Sequence, residues 1–290
     1  MSLRCLLFVP ADSEKKYLKA RESGADGLIL DLEDSVAPAN KEAARQLVSR
    51  WIGESAGKRG WSFWVRVNPF DTGLTMDDLA AVVRPGLDGV ILPKSNGGHD
   101  VARLGHCLDA LEAKAGMANC TVKIVVVATE TAAAMFNLGS YAPAHPRLAG
   151  LTWGAEDLAA VVGSTANKDD NGDWSQPYQL ARSLCLMAAA AAEVPAIDTL
   201  YADFRDADGL AASCRRSRRD GFAGRLAIHP AQVAGILAGF TPGGDDVALA
   251  QKIVAAFDAD PSLGTIGIDG KMYDIPHLKQ ARRTLAAARS

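Results

Sequence analysis

The chain has 290 residues, 48% of them hydrophobic and 22% charged, with a formal net charge of −3. This length suits one large α/β domain with a tail, and the charge gives no sign of general affinity for nucleic acid or membranes. The five cysteines lack C-x-x-C spacing, which disfavours zinc and disulfides and favours a cytoplasmic location. Residues 3–10 have the length of a strand rather than of a signal peptide, and no apolar run reaches the roughly 18 residues of a membrane span.

Short apolar runs alternate with amphipathic segments along the first 240 residues. The runs predict eight strands, at residues 5–9, 27–31, 62–68, 89–94, 122–128, 149–153, 197–201 and 226–229. Helical patterns lie between them, most clearly at residues 13–22, 41–51, 101–116 and 178–192. Repeated βα units favour a parallel sheet, and eight strands are the number that a closed barrel requires. We therefore predict an α/β fold with a catalytic (β/α)8 TIM barrel at residues 1–240.

Residues 241–290 follow this complete barrel as a C-terminal extension. Helical patterns are present at residues 245–256 and 276–287, and two short extended pieces lie between them. Asp269 and Gly270 predict a tight turn that joins those two pieces. A segment beyond a closed fold is expected to pack on a neighbour or to cover a site.

Two of the apolar runs end in carboxylates. Glu130 follows the run 124–128, and Asp157 follows the run 149–153. The strand C-termini of a parallel barrel open on one face, so we expect these acids to lie close together. Two carboxylates repel each other, and oxygen ligands of this kind suit Mg²⁺, which also keeps several waters. The alternative is that both acids only begin helices, where the helix dipole favours negative charge.

Four further charged residues are predicted at the same face. Arg66 ends the third strand and can grip a substrate carboxylate with two parallel hydrogen bonds, or it can pair with the acidic cluster at residues 31–34. Glu33 and Asp34 belong to that cluster and can orient Arg66 or a ligand water. Lys94 ends the fourth strand, where a structural pairing with Glu33 or Asp34 is the simpler interpretation and substrate binding is the other.

Three basic residues have weaker signals. Arg4 and Lys16 flank the first βα loop and could bind phosphates, although isolated basic residues are usually surface charges. His229 precedes a proline at the end of the eighth strand, a position where histidines often only satisfy backbone groups. The sequence contains no G-x-G-x-x-G, P-loop or G-x-S-x-G motif, so it lacks the best-known nucleotide and hydrolase signatures.

A series of motifs between residue 4 and about residue 286 resembles a known family. The motifs lie at residues 4–10, 23–38, 65–69, 92–94, 130–131, 154–157, 196–198, 203–205, 228–233 and 269–274. Taken in this order they resemble the citrate lyase beta-subunit-like proteins of the HpcH/HpaI aldolase and malyl-CoA lyase superfamily. The resemblance implies a Mg²⁺-dependent (β/α)8 barrel, commonly trimeric, that cleaves or forms C–C bonds in 3-hydroxyacyl thioesters.

The resemblance also implies roles for individual residues. Glu130 and Asp157 would be the Mg²⁺ ligands, and Arg66 would bind the carboxylate and carbonyl end of the substrate. Asp274 matches an acid/base Asp that reaches into the site of a neighbouring subunit. Glu33 and Asp34 would form an acidic wall around the metal.

We therefore expect a lyase that cleaves a citramalyl-CoA or malyl-CoA type of thioester to acetyl-CoA and a 2-keto acid. Mg²⁺ would be the cofactor, CoA would be part of the substrate, and the chain would self-associate as a homotrimer or hexamer. One alternative is a citrate lyase beta subunit, which acts on a citryl thioester of an acyl-carrier protein. Another is a non-catalytic barrel that binds organic acids.

Overall fold

The computed structural model describes residues 3–288, which form two compact units, residues 3–237 and 238–288. The first unit is a closed barrel of eight strands in the order β1 to β8, and all neighbouring strands are parallel. The strands are β1 Cys5–Pro10, β2 Gly27–Asp31, β3 Ser62–Arg66, β4 Gly89–Leu92, β5 Lys123–Val127, β6 Leu148–Thr152, β7 Ala196–Asp198 and β8 Gly224–Ala227. The predicted (β/α)8 fold is confirmed.

Helices connect the strands on the outside of the barrel. They are α1 Glu14–Arg21, α2 Lys41–Ser55, α3 Thr75–Val82, α4 Gly98–Lys114, α5 Ala132–Met135, α6 Glu156–Val162, α7 Gln176–Ala191 and α8 Ala207–Asp220. A further helix, α9 Val233–Phe240, follows the last strand. Among the described residues, no helix is both long and apolar enough to cross a membrane. Strands β7 and β8 end two or three residues earlier than predicted, because the apolar runs continue past the last residue that pairs with a neighbouring strand.

The barrel is filled by inward-facing side chains from alternate strand positions. The buried cluster consists of Leu3, Leu6, Ile29, Trp64, Ile91, Val125, Val127, Ile197 and Leu226. Trp64 is its largest member, and its Nε1 donates a hydrogen bond to Ser62 Oγ at 2.9 Å. Gly89 faces this ring, and a Cβ there would lie 2.1 Å from Trp64. The barrel is therefore a packed core rather than a pore, and functional groups are confined to its rims.

The second unit is a small α/β module. It contains α10 Gly244–Ala259, the antiparallel pair β9 Thr265–Ile268 and β10 Lys271–Asp274, and α11 Ile275–Ala288. Its core is formed by Ala250, Ile253, Phe257, Leu278 and Ala281. Asp269 and Gly270 have φ values of 49° and 76°. A two-residue hairpin turn with positive φ at both positions matches the right-handed twist of the strands, so the predicted tight turn is confirmed.

Candidate active site

Five adjacent strands, β2 to β6, end in or lead directly to ionisable side chains. β2 ends at Asp31, β3 ends at Arg66, and Lys94 lies two residues after β4. Glu130 follows β5, and Asp157 follows β6 in the first turn of α6. Because neighbouring parallel strands carry these residues at the same end, the fold gathers them at one mouth of the barrel.

Arg66 is held in place by two acids of the β2 end. Its Nε and Nη2 donate to the two carboxylate oxygens of Asp31, both at 2.7 Å, and its Nη1 lies 2.9 Å from Glu33 Oε2. The ring of Phe8 packs against the guanidinium at 4.9 Å. Burial alone would raise the pKa of Asp31, but the hydrogen bonds and charge of Arg66 hold it below the ordinary value. The ion pair with the acidic cluster is thus formed, and it fixes the guanidinium plane at the barrel mouth.

Lys94 connects the acids of three strand ends. Its Nζ contacts Glu33 directly and lies 3.2 Å from Asp34 Oδ2 and 3.1 Å from Asp157 Oδ1. Its backbone N–H donates to Glu130 Oε2 at 2.6 Å. Lys94 adopts a left-handed conformation with φ of 50°, which is uncommon for a residue with a side chain. The backbone and the side chain of one residue thereby reach both predicted metal ligands.

Glu130 is a deeply buried carboxylate of the mouth, with 3% of the residue exposed. Burial and the negative charge of Asp157 raise its pKa to about 8. Gly154 leaves room for it, because a Cβ at that position would lie 2.9 Å from Glu130 Cγ. The close approach explains why glycine stands between the end of β6 and Asp157.

The residues of the mouth fit a divalent cation. Five acids lie at the mouth, and within residues 3–288 their ion-pair partners are Arg66 and Lys94, so the acids exceed these bases by three; the acids are Asp31, Glu33, Asp34, Glu130 and Asp157. Glu33 Oε2 is buried and accepts no hydrogen bond of good geometry from the described residues, although Arg66 Nη1 forms an ion pair with it at 2.9 Å. Within residues 3–288, no three His, Cys, Asp or Glu side chains are grouped as ligands of one ion. A pair of carboxylates, Glu130 and Asp157, suits Mg²⁺, which keeps waters in its other positions.

Arg4 is not brought to this mouth. β1 begins at Cys5, so Arg4 lies at the opposite end of the barrel, where it forms a two-point ion pair with Asp26 at 3.1 and 3.0 Å. The expectation that Arg4 flanks the first βα loop is wrong, because the whole length of the strand separates it from that loop. Lys16 is exposed in α1, directly after the C-terminal end of β1, and its phosphate-binding role stays a prediction.

Two other predicted residues, His229 and Asp274, lie outside this group of charged side chains. His229 Nδ1 accepts a hydrogen bond from the Ala231 N–H at 3.2 Å, and the ring stacks on Phe204 at 4.5 Å. It therefore caps a short 3-10 helix, as the simpler interpretation of its position suggested. Asp274 ends β10 in the second unit and precedes α11, and its catalytic role stays a prediction.

Sequence reasoning missed Lys41, which binds the backbone of the acidic loop at residues 31–34. Its Nζ donates to the carbonyl oxygens of Leu32 and Glu33 at 2.7 and 3.0 Å, and to Asn68 Oδ1 at 2.8 Å. These bonds fix the backbone that carries Glu33 and Asp34. The only sequence signal is a lysine shortly after an acidic cluster, which is common on protein surfaces and carries little information.

The fold and the mouth define a class of protein, the (β/α)8 barrels with a cluster of carboxylates at the C-terminal ends of their strands. Residues 4–230 match the HpcH/HpaI aldolase/citrate lyase family. The chain belongs to this family.

Named relatives cover nearly the whole chain. A (3S)-malyl-CoA thioesterase of Cereibacter sphaeroides is 35% identical over 98% of this chain and 94% of its own length. An L-malyl-CoA/beta-methylmalyl-CoA lyase of the same species is 32% identical over 96% and 92%. Among solved structures, CitE from Mycobacterium tuberculosis, in complex with magnesium, acetoacetate and coenzyme A, has a TM-score of 0.77. It is 29% identical and covers 100% of this chain and 99% of its own.

Proposed function

We propose that the protein is a Mg²⁺-dependent C–C lyase that cleaves a 3-hydroxy-3-carboxyacyl-CoA thioester to acetyl-CoA and a 2-keto acid. The observation that carries this proposal is the convergence of Glu130, Asp157, Arg66 and Lys94 at one barrel mouth with an excess of acid. A malyl-CoA lyase among the relatives and a CitE structure with magnesium and coenzyme A support it.

Glu130 and Asp157 would hold the metal, which when bound supplies positive charge to the oxygens of the substrate and acidifies its hydroxyl. Arg66 would bind the substrate carboxylate, because its guanidinium is already fixed in one plane by Asp31 and Glu33. Lys94 would keep Glu130 and Asp157 in place through its backbone N–H and its Nζ. A site held by such partners loses little entropy when the substrate arrives.

The bond changes follow from the substrate class. A base removes the proton of the 3-hydroxyl, the oxygen becomes the carbonyl of the 2-keto acid, and the C2–C3 bond breaks. Its electron pair passes into the thioester as an enolate, which takes one proton at carbon to give acetyl-CoA. We assign that proton transfer to Asp274 of a neighbouring subunit in a homotrimer or hexamer located in the cytoplasm.

The direct test is an assay of the purified full chain with malyl-CoA, citramalyl-CoA, citryl-CoA and a citryl thioester of an acyl-carrier protein, with and without Mg²⁺. We expect acetyl-CoA and glyoxylate or pyruvate from the first two substrates, and only with Mg²⁺. Turnover of the carrier-protein thioester alone would instead support the citrate lyase beta-subunit alternative. Binding of organic acids without any turnover would support the non-catalytic barrel.

A second candidate function is hydrolysis of the thioester. It is favoured by the 35% identity to a (3S)-malyl-CoA thioesterase over 98% of this chain. The same assay separates the two functions, because hydrolysis of malyl-CoA releases free CoA and malate and forms no glyoxylate. Equal amounts of acetyl-CoA and glyoxylate in the first seconds would support the lyase as the primary activity.

The sharing of sites between subunits has its own test. We expect Asp274→Asn and Arg66→Ala to be nearly inactive when each is assayed alone. Mixed oligomers would recover part of the activity, since some sites would combine an intact Arg66 with an intact Asp274 from another chain. If verified mixed oligomers show no recovery, Asp274 acts within its own chain or is not the acid/base.

A further inference from the structure

Asp274 and His277 contact each other through both side-chain and backbone atoms at the junction of β10 and α11. His277 Nδ1 lies 2.5 Å from Asp274 Oδ1, to which it donates when it carries a proton. Without that proton, Nδ1 accepts a hydrogen bond from the Asp274 backbone N–H at 3.2 Å. The His277 N–H donates to the same carboxylate oxygen at 3.4 Å. Both contacts to the carboxylate use Oδ1, and Oδ2 accepts no hydrogen bond from the described residues. One oxygen of Asp274 is therefore held while the other is left for a further partner.

The His277 side chain is 45% exposed, and its ring contacts one aromatic neighbour among the described residues. The ring of Tyr273 meets it edge-on, with centroids 5.4 Å apart and an interplanar angle of 85°. Tyr273 packs on the hydrophobic core of the second unit, so it links the histidine to that core. The position of His277 is thus set by packing as well as by its hydrogen bonds.

Helix capping accounts for only part of this arrangement. A carboxylate that precedes a helix stabilises it by accepting a backbone N–H, and the His277 N–H bond to Oδ1 does this. Such a cap requires no side chain of any particular type at position 277. The Nδ1 contact is additional, and in the tautomer with the proton on Nδ1 it places a side-chain donor against the carboxylate.

We infer that His277 is a positioning residue for Asp274, which fixes the carboxylate through an Nδ1–H···Oδ1 hydrogen bond and leaves Oδ2 for proton transfer. This inference rests on the proposed function, in which Asp274 is the acid/base. A hydrogen-bond donor stabilises the charged form of a carboxylate, so the resting form of Asp274 is the base. In the condensing direction that base takes a proton from the methyl carbon of the acetyl thioester, and in cleavage the carboxyl group returns it.

The electrostatics of the module agree with this role. The hydrogen bond from His277 lowers the pKa of Asp274. Strand β9 has no charged residue, and the α10 side chains Lys252 and Asp258 are paired with Asp269 and Arg282. The remaining acids of α10, Asp245 and Asp246, lie in its first turn. Among the described residues, His277 is the one whose side chain contacts the Asp274 carboxylate.

Two variants of the full chain test the inference in the condensing direction, with acetyl-CoA, a 2-keto acid and Mg²⁺. His277→Ala removes the donor, and we expect kcat to fall about 10- to 100-fold with KM within about twofold, as expected for a misplaced catalytic group. The acidic limb of the pH profile should move to higher pH, because Asp274 binds its proton more tightly. His277→Asn keeps an N–H donor near the Nδ1 position and should restore most of kcat. The exposed Lys279→Ala of the same helix is the matched control and should behave as wild type.

A measurement that needs no activity keeps the two proposals distinguishable. In protein labelled with ¹³C at the aspartate carboxyls, the Asp274 signal, assigned by its loss in Asp274→Asn, should titrate below the ordinary range and move upward in His277→Ala. Absence of lyase turnover together with this shift would refute the proposed function and leave the pairing of the two residues intact. Two outcomes would overturn the inference and leave His277 as part of a helix cap. One is an Asp274 pKa that does not change in His277→Ala. The other is an equal loss of kcat in His277→Ala and His277→Asn, with the acidic limb of the pH profile unchanged.

Discussion

Two buried carboxylates at strand ends of the same barrel have opposite electrostatic surroundings. Asp198 ends β7 and Glu130 follows β5, and they are 1% and 3% exposed. The pKa of Asp198 lies below its ordinary value, whereas that of Glu130 is raised to about 8. Burial raises both, so the difference comes from the charged partners of each residue.

Asp198 is surrounded by donors. Its Oδ2 accepts from Arg182 at 3.0 Å, Arg225 at 3.1 Å and Ser217 Oγ at 2.6 Å, and its Oδ1 accepts from Trp153 Nε1 at 2.6 Å. The two arginine charges exceed the cost of burial and hold the carboxylate ionised. This cluster is complete within the chain, and it joins β7 to α7, α8 and β8.

Glu130, in contrast, has few hydrogen-bond donors and a negative charge beside it. It accepts one backbone hydrogen bond, from Lys94, and it faces the like charge of Asp157. Lys94 Nζ lies 3.1 Å from Asp157 and the charge of Arg66 acts on Glu130, but these two bases do not balance the acids gathered at the mouth. Comparison of the two carboxylates indicates that a cluster with enough basic partners serves the fold, whereas acids that outnumber their bases mark the place where a cation is expected.

The largest expected effect is at Glu130. Glu130→Gln should lose Mg²⁺ binding and reduce kcat about 1000-fold or more, equivalent to about 4 kcal/mol in the transition state. Thermal unfolding without metal should be unchanged or occur at higher temperature, because a neutral amide replaces a buried carboxylate that repels Asp157. Glu156→Gln, at an exposed neighbour of Asp157, is the matched control. A Mg²⁺-dependent rise in Tm in Glu130→Gln equal to that of wild type would refute the metal assignment.

The second effect should appear in stability rather than turnover. Asp198→Asn leaves the buried Arg225 without its counter-charge and removes one of the two acidic partners of Arg182, so it should lower the free energy of unfolding by about 3 kcal/mol. The control Asp220→Asn breaks the partly exposed pair with Arg182 and should cost less than about 1 kcal/mol. Urea unfolding measures both variants, and kcat of the folded Asp198→Asn should stay near wild type. If Asp198→Asn instead lost kcat and kept its free energy of unfolding, Asp198 would serve the reaction rather than the fold, and its contrast with Glu130 would be refuted.

The pH dependence of stability sharpens the same contrast. Because the folded-state pKa of Asp198 is lowered, its stabilising contribution is present above the unfolded value of about 3.9 and is lost as the pH falls through the folded value. The stability difference between wild type and Asp198→Asn should therefore be constant from pH 7 to about 5 and shrink below about pH 4. Urea unfolding from pH 3 to 7 measures this change. A difference that persists unchanged at pH 3 would mean that packing, not charge, sets the role of Asp198.

A smaller effect is expected at Arg66. Arg66→Lys replaces a planar fork by a point charge, and kcat/KM should fall about ten- to hundredfold, or roughly 1.5–3 kcal/mol. Arg45 is a matched control, since its side chain is 13% exposed against 14% for Arg66 and it pairs with the buried Asp78 at 2.7 Å. Arg45→Lys should reduce stability and leave kcat/KM near wild type. If Arg66→Lys and Arg45→Lys changed kcat/KM equally, Arg66 would have a structural role and would not bind the substrate.

The sequence by itself determined the barrel and the candidate ligands at its mouth. Apolar runs with amphipathic segments between them encode local burial, and eight such runs define the closed sheet. A carboxylate after a buried strand must lie at the strand's C-terminal end, which is why Glu130 and Asp157 could be identified from their positions. The turn at Asp269 and Gly270 was likewise predictable, because positive φ at both positions is a local requirement.

Only the tertiary structure decided which charges meet. Lys94 and Glu33 are 61 residues apart, and Arg225 and Asp198 are 27 residues apart. Such pairs depend on which strands are neighbours and on where each strand starts. The start of β1 at Cys5 moved Arg4 to the opposite end of the barrel, and the pairing of β7 with β8 surrounded Asp198 with arginines. Periodicity records whether a position is buried, but the sign of a buried group's environment is set by long-range neighbours, which local sequence does not encode.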